Sequence, residues 1–232
     1  MAALKLLLTE IQESGKDLAW EVNLFGQLKN LRDDVVSNEF TPLIAAAFLG
    51  RSGMITLLLY AGEDINQAKS NGGNALMSAA RNGHTTIVRT LIQAGATIDH
   101  ALSDGSTALT IAAGNGHTAT MHALIQAGAD INKTTSREWT ALMCAAANGH
   151  TAAVSSLVQS GAMVNQARAD GWTALMFASQ NGQTTAVQAL LQAGASPQTK
   201  SRKGQTALDL AVQAGKTEVA KMLRARSEKV TI

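Results

Sequence analysis

One cysteine, Cys144, is all the thiol chemistry in the 232 residues, so no disulfide can form within the chain and a reducing compartment fits best. Its neighbours Met143, Ala145 and Ala146 are apolar, which predicts a buried structural thiol and not a reactive one. Aromatic residues make up only 3% against 46% hydrophobic residues. The core must therefore be built from Ala and aliphatic side chains, which suits closely stacked helices. Charged residues are 16% and the net charge is +2, too mild a balance to make nucleic acid the main partner. Near the N-terminus Leu6, Leu7 and Leu8 follow Lys5, but Thr9 and Glu10 end the run. That is too short for a signal-peptide core or a membrane span, and a soluble, cytoplasmic protein is expected. No phosphate-binding Gly loop occurs, and one Cys with scattered His cannot close a zinc site.

The charge that is present is polarised. Residues 1–40 hold four Lys/Arg against seven Asp/Glu, residues 41–199 hold seven of each, and residues 200–232 hold eight against three. Solubilising charge on terminal segments accounts for this, and a basic tail for an acidic partner is the alternative.

Self-similarity defines the architecture. Stepping by 33 residues from Thr107-Ala108-Leu109 reaches Thr41-Pro42-Leu43, Asn74-Ala75-Leu76, Thr140-Ala141-Leu142, Thr173-Ala174-Leu175 and Thr206-Ala207-Leu208. Ala46 and Gly50 head two more columns of six, ending at Ala211 and Gly215, and a Leu column runs from Leu58 to Leu223. Each column has a physical task. The Thr is an N-cap whose hydroxyl accepts from a free backbone N–H of an inner helix. Leu points into the stack, and Ala lets neighbouring helices approach closely. Asn-Gly at 82–83, 115–116, 148–149 and 181–182 ends the inner helix, with Gly in the left-handed conformation. A second, outer helix follows, with apolar spacing such as Ile87, Val88, Leu91 and Ile92.

The period and the T-x-L-x-x-A pattern resemble the ankyrin repeat over residues 41–226. The resemblance implies an all-α solenoid of stacked helix-turn-helix units with projecting hairpin fingers. Residues 1–40 read as a degenerate repeat serving as an N-terminal helical cap. Val22, Leu24, Phe25 and Asp33 keep the outer-helix pattern there, and Trp20 is expected in its core. The sixth repeat, with Lys221, Arg224 and Arg226, reads as the C-terminal cap, and 227–232 as a short tail. His84, His117 and His150 recur one period apart, too far for shared metal binding, and the family pattern implies a structural hydrogen-bonding role.

Neither Ser155, Ser156, His100 nor His122 has a catalytic partner at motif spacing, so no enzyme and no cofactor are expected. Function should then lie on a surface. The resemblance implies a concave face made of finger residues and the open side of the inner helices. Where the family commonly has His after Leu, this chain has Ile44, Met77, Thr110, Met143, Met176 and Asp209, which predicts a more apolar face. Trp139 and Trp172, two of only three Trp, share one finger position. With Met143 and Met176 they could form one patch, since stacked helices lie about 8–10 Å apart. Two accounts of the Trp pair stand here: partner anchors, or rings packed on neighbouring fingers. Arg81, Arg137, Asp170 and Gln180 complete the expected partner-binding set.

The expectation is a monomeric, non-enzymatic adaptor or inhibitor that binds another protein through repeats 3 to 5. A bacterial effector delivered into a host cell is a narrower variant. A regulatory or protective subunit of an enzyme is the alternative, and weak nucleic-acid binding by the basic C-terminal region comes third.

Overall fold

A computed structural model describes residues 41–228, with side chains described as far as Arg226. The expected cap over residues 1–40 lies outside the described residues. The helices come in pairs: α1 (Pro42–Phe48) with α2 (Ser52–Tyr60), α3 (Ala75–Arg81) with α4 (Thr85–Gln93), and α5 (Ala108–Gly114) with α6 (Thr118–Gln126). They continue with α7 (Ala141–Ala147) and α8 (Thr151–Gln159), α9 (Ala174–Asn181) and α10 (Thr184–Gln192), then α11 (Ala207–Gln213) and α12 (Thr217–Glu228). The last helix thus runs two residues past the repeat boundary expected at 226. Odd-numbered inner helices pack on one another in series, and even-numbered outer helices form a second layer behind them. Among the described residues no strand forms; the fingers carry only isolated antiparallel bridges, Ala101 with Thr107 and Ala167 with Thr173.

Each inner helix is only about two turns long and begins on a side-chain cap. The hydroxyls of Thr41, Thr107, Thr140, Thr173 and Thr206 accept from the backbone N–H three residues on, and Asn74 does the same through Oδ1. Such caps each contribute about 1 kcal/mol, a useful increment for helices too short to persist alone. The ends are equally regular: Gly116 sits at φ 73°, in the left-handed region that Asn-Gly supplies.

The repeat columns are the core. Leu58, Leu91, Leu124, Leu157, Leu190 and Leu223 are completely buried, as are the Ala residues at 46, 79, 112, 145, 178 and 211. Leu43, Leu76, Leu109, Leu142 and Leu175 are buried too, but Leu208 is only half-buried. Among the described residues no inner helix follows α11 to cover it, so the same letter is less buried there. The recurrent histidines tie repeats together as expected. Nε2 of His84, His117 and His150 lies 3.1, 2.9 and 3.0 Å from the backbone oxygens of Phe48, Arg81 and Gly114, the last residues of the preceding inner helices. Gln183 takes the role in the next repeat, donating from Nε2 to the Ala147 oxygen at 3.3 Å.

Adjacent fingers are linked by backbone hydrogen bonds. Ser103, Ser136 and Arg202 each donate an amide to the preceding fingertip, at the oxygens of Asn71, Asp104 and Asp170, over 2.8–2.9 Å. One junction departs from this pattern, and it lies beside the Trp pair.

Candidate partner-binding site

Finger 128–140 is built differently from its neighbours. In fingers 62–74, 95–107 and 161–173 an Asn or Asp side chain (Asn71, Asp104, Asp170) accepts the amide two residues later. Arg137 stands at that position and has no acceptor to offer, so the Trp139 amide donates to Thr135 Oγ1 at 3.1 Å. The next position is Gly in the other fingers (72, 105, 171 and 204), but here it is Glu138, at φ 60°. A Cβ on Gly105 would lie 2.7 Å from the Ser136 nitrogen, and one on Gly171 would lie 2.9 Å from Ser201 Cα. Glu138 carries such a Cβ, and its Oε2 takes the Ala169 amide that a fingertip carbonyl takes at the other junctions. The side chain has replaced a backbone link.

Beside this junction the rings collect. Trp139 stacks on Phe177 with centroids 4.1 Å apart, and Trp172 meets the same Phe177 ring at 4.8 Å and a tilt of 42°. The Arg168 guanidinium carbon lies 5.7 Å from the Trp139 ring and 5.6 Å from Phe177, and Arg168 pairs with Asp170 at 3.1 Å. Phe177 is 8% exposed, while both indoles are half-buried. Off this cluster opens a cleft of about 470 Å³ lined by Arg168, Asp170, Trp172, Phe177, Gln180, Arg202 and Lys203.

The expected patch is corrected in one respect. Met143 and Met176 are each 1% exposed and cannot face a partner. A two-turn helix hemmed by an inner helix on each side and an outer helix behind leaves one open strip, and these residues fall off it. Ile44, Met77 and Thr110 of the same column are buried as well. Neither account of the indoles named Phe177, yet both rings lean on it, a residue of inner helix α9. Asp170, Trp172 and Gln180 converge on the cleft, and Trp139 joins through the stack. Arg81 and Arg137 are exposed but do not line it.

Sequence reasoning missed Phe177, Arg168, Arg202 and Lys203. Phe177 had a readable signal: its column holds Ala45, Ser78, Ile111, Cys144 and Leu210, and a ring there is out of character. Cys144, in that column, is half-buried and not fully enclosed as expected. Burial, with the Asp104 charge behind it, still pushes the thiol up to about 11. Asp209, by contrast, is held below the usual carboxylate range by the amide and hydroxyl of Thr206 in a reciprocal cap. No group of three or more His, Cys, Asp or Glu gathers at metal-binding distance among the described residues, and none of their helices is long and apolar enough to cross a membrane.

A family model described as ankyrin repeats (3 copies) matches residues 3–101, 43–135, 95–168, 112–201 and 163–232, and the chain belongs to the ankyrin-repeat family. Comparison with curated protein sequences gives no match. Among solved structures, a chain superposes from the complex of the predatory endopeptidase Bd0816 of Bdellovibrio bacteriovorus with the immunity protein Bd3460. The TM-score is 0.73 at 29% identity, covering 81% of this chain and 99% of that one.

Proposed function

We propose that the chain is a non-enzymatic protein-binding module that holds a partner protein on the concave face of repeats 3 to 5. The observation that carries this reading is the Trp139–Phe177–Trp172 cluster and the cleft it frames. The stack itself needs no ring there, since Ile111 and Leu210 fill the Phe177 position elsewhere. Half-buried indoles held by a buried ring are pre-positioned, so a partner would order few side chains on binding. Asp170 and Gln180 form part of the cleft's polar surround, while Arg81 and Arg137 are exposed outside it. A narrower version, an inhibitor or protective subunit of an enzyme, is favoured by the similarity to a chain of the endopeptidase–immunity protein complex.

The test uses a photo-crosslinking residue at Gln180, on the open strip, and another at Arg89, exposed on outer helix α4. The Gln180 position is expected to capture a partner that the Arg89 position does not, and Trp172→Ala is expected to weaken that partner by about 2 kcal/mol or more. Equal capture from both positions, with affinity unmoved in Trp172→Ala, refutes the concave-face assignment. Activity of a captured enzyme, measured with and without the protein, separates an inhibitor from an adaptor.

A further inference from the structure

The charge along the fingers is ordered. Fingers 62–74 and 95–107 carry Glu63, Asp64, Asp99 and Asp104 against Lys69 alone. Fingers 128–140 and 161–173 balance, with Asp130, Glu138 and Asp170 against Lys133, Arg137 and Arg168. Finger 194–206 carries Lys200, Arg202 and Lys203 and no acid. The aromatic cluster therefore sits between an acidic end and a basic end.

At the basic end the cations are uncommitted. Ion pairs among the described residues are Arg168 with Asp170 and Lys221 with Glu218; Arg202 and Lys203, both exposed, form none. Both line the cleft whose apolar wall is Trp172 and Phe177. Arg168 is already engaged by Asp170 and the two rings, so its charge is largely spent within the site. What the cleft still offers a visitor is an apolar wall and two free cations beside it. We propose that it takes an acidic segment of the partner protein, one apolar side chain seated against Trp172 and Phe177 and flanking Asp or Glu carboxylates on Arg202 and Lys203. The proposal rests on the concave-face reading and adds the chemistry and direction of what lies there. Such complementarity fixes register and suppresses wrong partners more than it adds raw affinity. The acidic fingers at the other end disfavour a polyanion lying along the whole face, which separates this segment from a nucleic acid.

The experiment titrates the full chain with three fluorescein-labelled eight-residue peptides sharing a central Leu-Trp, flanked by Asp/Glu, by Asn/Gln or by Lys/Arg, and with a single-stranded oligonucleotide. Fluorescence anisotropy is read at roughly 50 mM and 500 mM salt. The acidic peptide is expected to bind best, to weaken at high salt, and to lose about tenfold in Arg202→Glu/Lys203→Glu. Arg89→Glu, on an outer helix, is expected to change nothing, and circular dichroism checks that both variants fold. Equal binding of the acidic and neutral peptides overturns the charge selection and leaves the concave-face reading standing. Tightest binding of the oligonucleotide, of the basic peptide, or of none overturns the proposal. Acidic-peptide binding that Arg202→Glu/Lys203→Glu leaves intact overturns it as well.

Discussion

Replacing Phe177 by Leu asks whether the aromatic cluster is a structural unit or an accident of neighbouring columns. Leu210 occupies the same position one repeat later, so an aliphatic side chain is compatible with the inner helix and any cost belongs to the lost ring. Phe177 is 8% exposed, and Leu keeps much of the apolar area that it buries. What disappears is the stack on Trp139 at 4.1 Å, the tilted contact with Trp172 at 4.8 Å, and the Arg168 contact at 5.6 Å. Each aromatic pair contributes about 0.5–1.5 kcal/mol beyond area, and the partly exposed Arg168 cation about 0.5–1. The contacts share one ring and are not independent, so a loss of about 2 kcal/mol is expected. Repeat arrays unfold in stages as readily as all at once, so a single midpoint is a blunt reading. Urea unfolding followed by circular dichroism should therefore be paired with hydrogen exchange of the amides of α9. Freed of their central ring, both indoles should also shift their emission to the red. A loss under about 0.5 kcal/mol with unchanged emission would mean that the three rings do not act together, and the pre-positioned anchor would fall with them.

Three further outcomes follow from the same geometry. Gly105→Ala and Gly204→Ala place a Cβ at φ 79° and 74°, but only the first meets a neighbour, the Ser136 nitrogen at 2.7 Å. Thermal melts should show a loss of about 1 kcal/mol for Gly204→Ala and roughly twice that or more for Gly105→Ala; equal losses would show that the finger junction gives way freely. Leu142→Ala, at a site 2% exposed, should cost about 2–5 kcal/mol in chemical denaturation, and a value under about 1 would contradict its place in the stack. With its thiol pushed up to about 11, Cys144 should be slow to react with iodoacetamide at neutral pH and quicken only as pH climbs towards that value. A reaction midpoint near the ordinary thiol value of about 8.5 would refute the desolvation account.

The fold was legible because its determinants repeat. A Thr before Ala-Leu and an Asn-Gly at the helix end, each in four repeats, carry local physical instructions, and Leu, Ala and Gly columns of six in register leave one architecture that satisfies them. The site was only half legible, for a geometric reason. A 33-residue period shows which positions are alike, but not which side of a two-turn helix stays open. Met143 and Met176 sit close in sequence to Trp139 and Trp172, and proximity suggested a shared patch. Burial at Ile44, Met77 and Thr110 shows that the column belongs to the core in the first five repeats, and only Asp209, in the sixth, is exposed. Phe177, one residue further on, turns onto the strip where Met176 does not. Arg168, Arg202 and Lys203 were hidden for another reason. They lie in fingers, where sequence spacing does not say which side chains fold back toward the inner helices.

The departures from the repeat are concentrated, and that concentration bears on function. Columns that build the stack are nearly uniform, because changing one disturbs two interfaces. Positions free of that duty can drift singly without consequence, yet here Arg137, Glu138 and Phe177 depart together around one finger junction, beside Trp139 and Arg168. Glu138 is the costly member. A non-glycine residue at φ 60° is strained, and its Cβ occupies space that Gly105 and Gly171 leave to the next finger. Its carboxylate offsets part of that by taking the Ala169 amide, so the junction stays hydrogen-bonded though the carbonyl link of the other junctions is gone. The stack gains nothing from this exchange, since Gly serves the same position in four other fingers. The rings and guanidinium gathered beside it are what the exchange accompanies. A backbone strained at the one junction where aromatic side chains cluster is the pattern expected when a surface is shaped for a ligand, with the rest of the repeat carrying the stability that the strain removes.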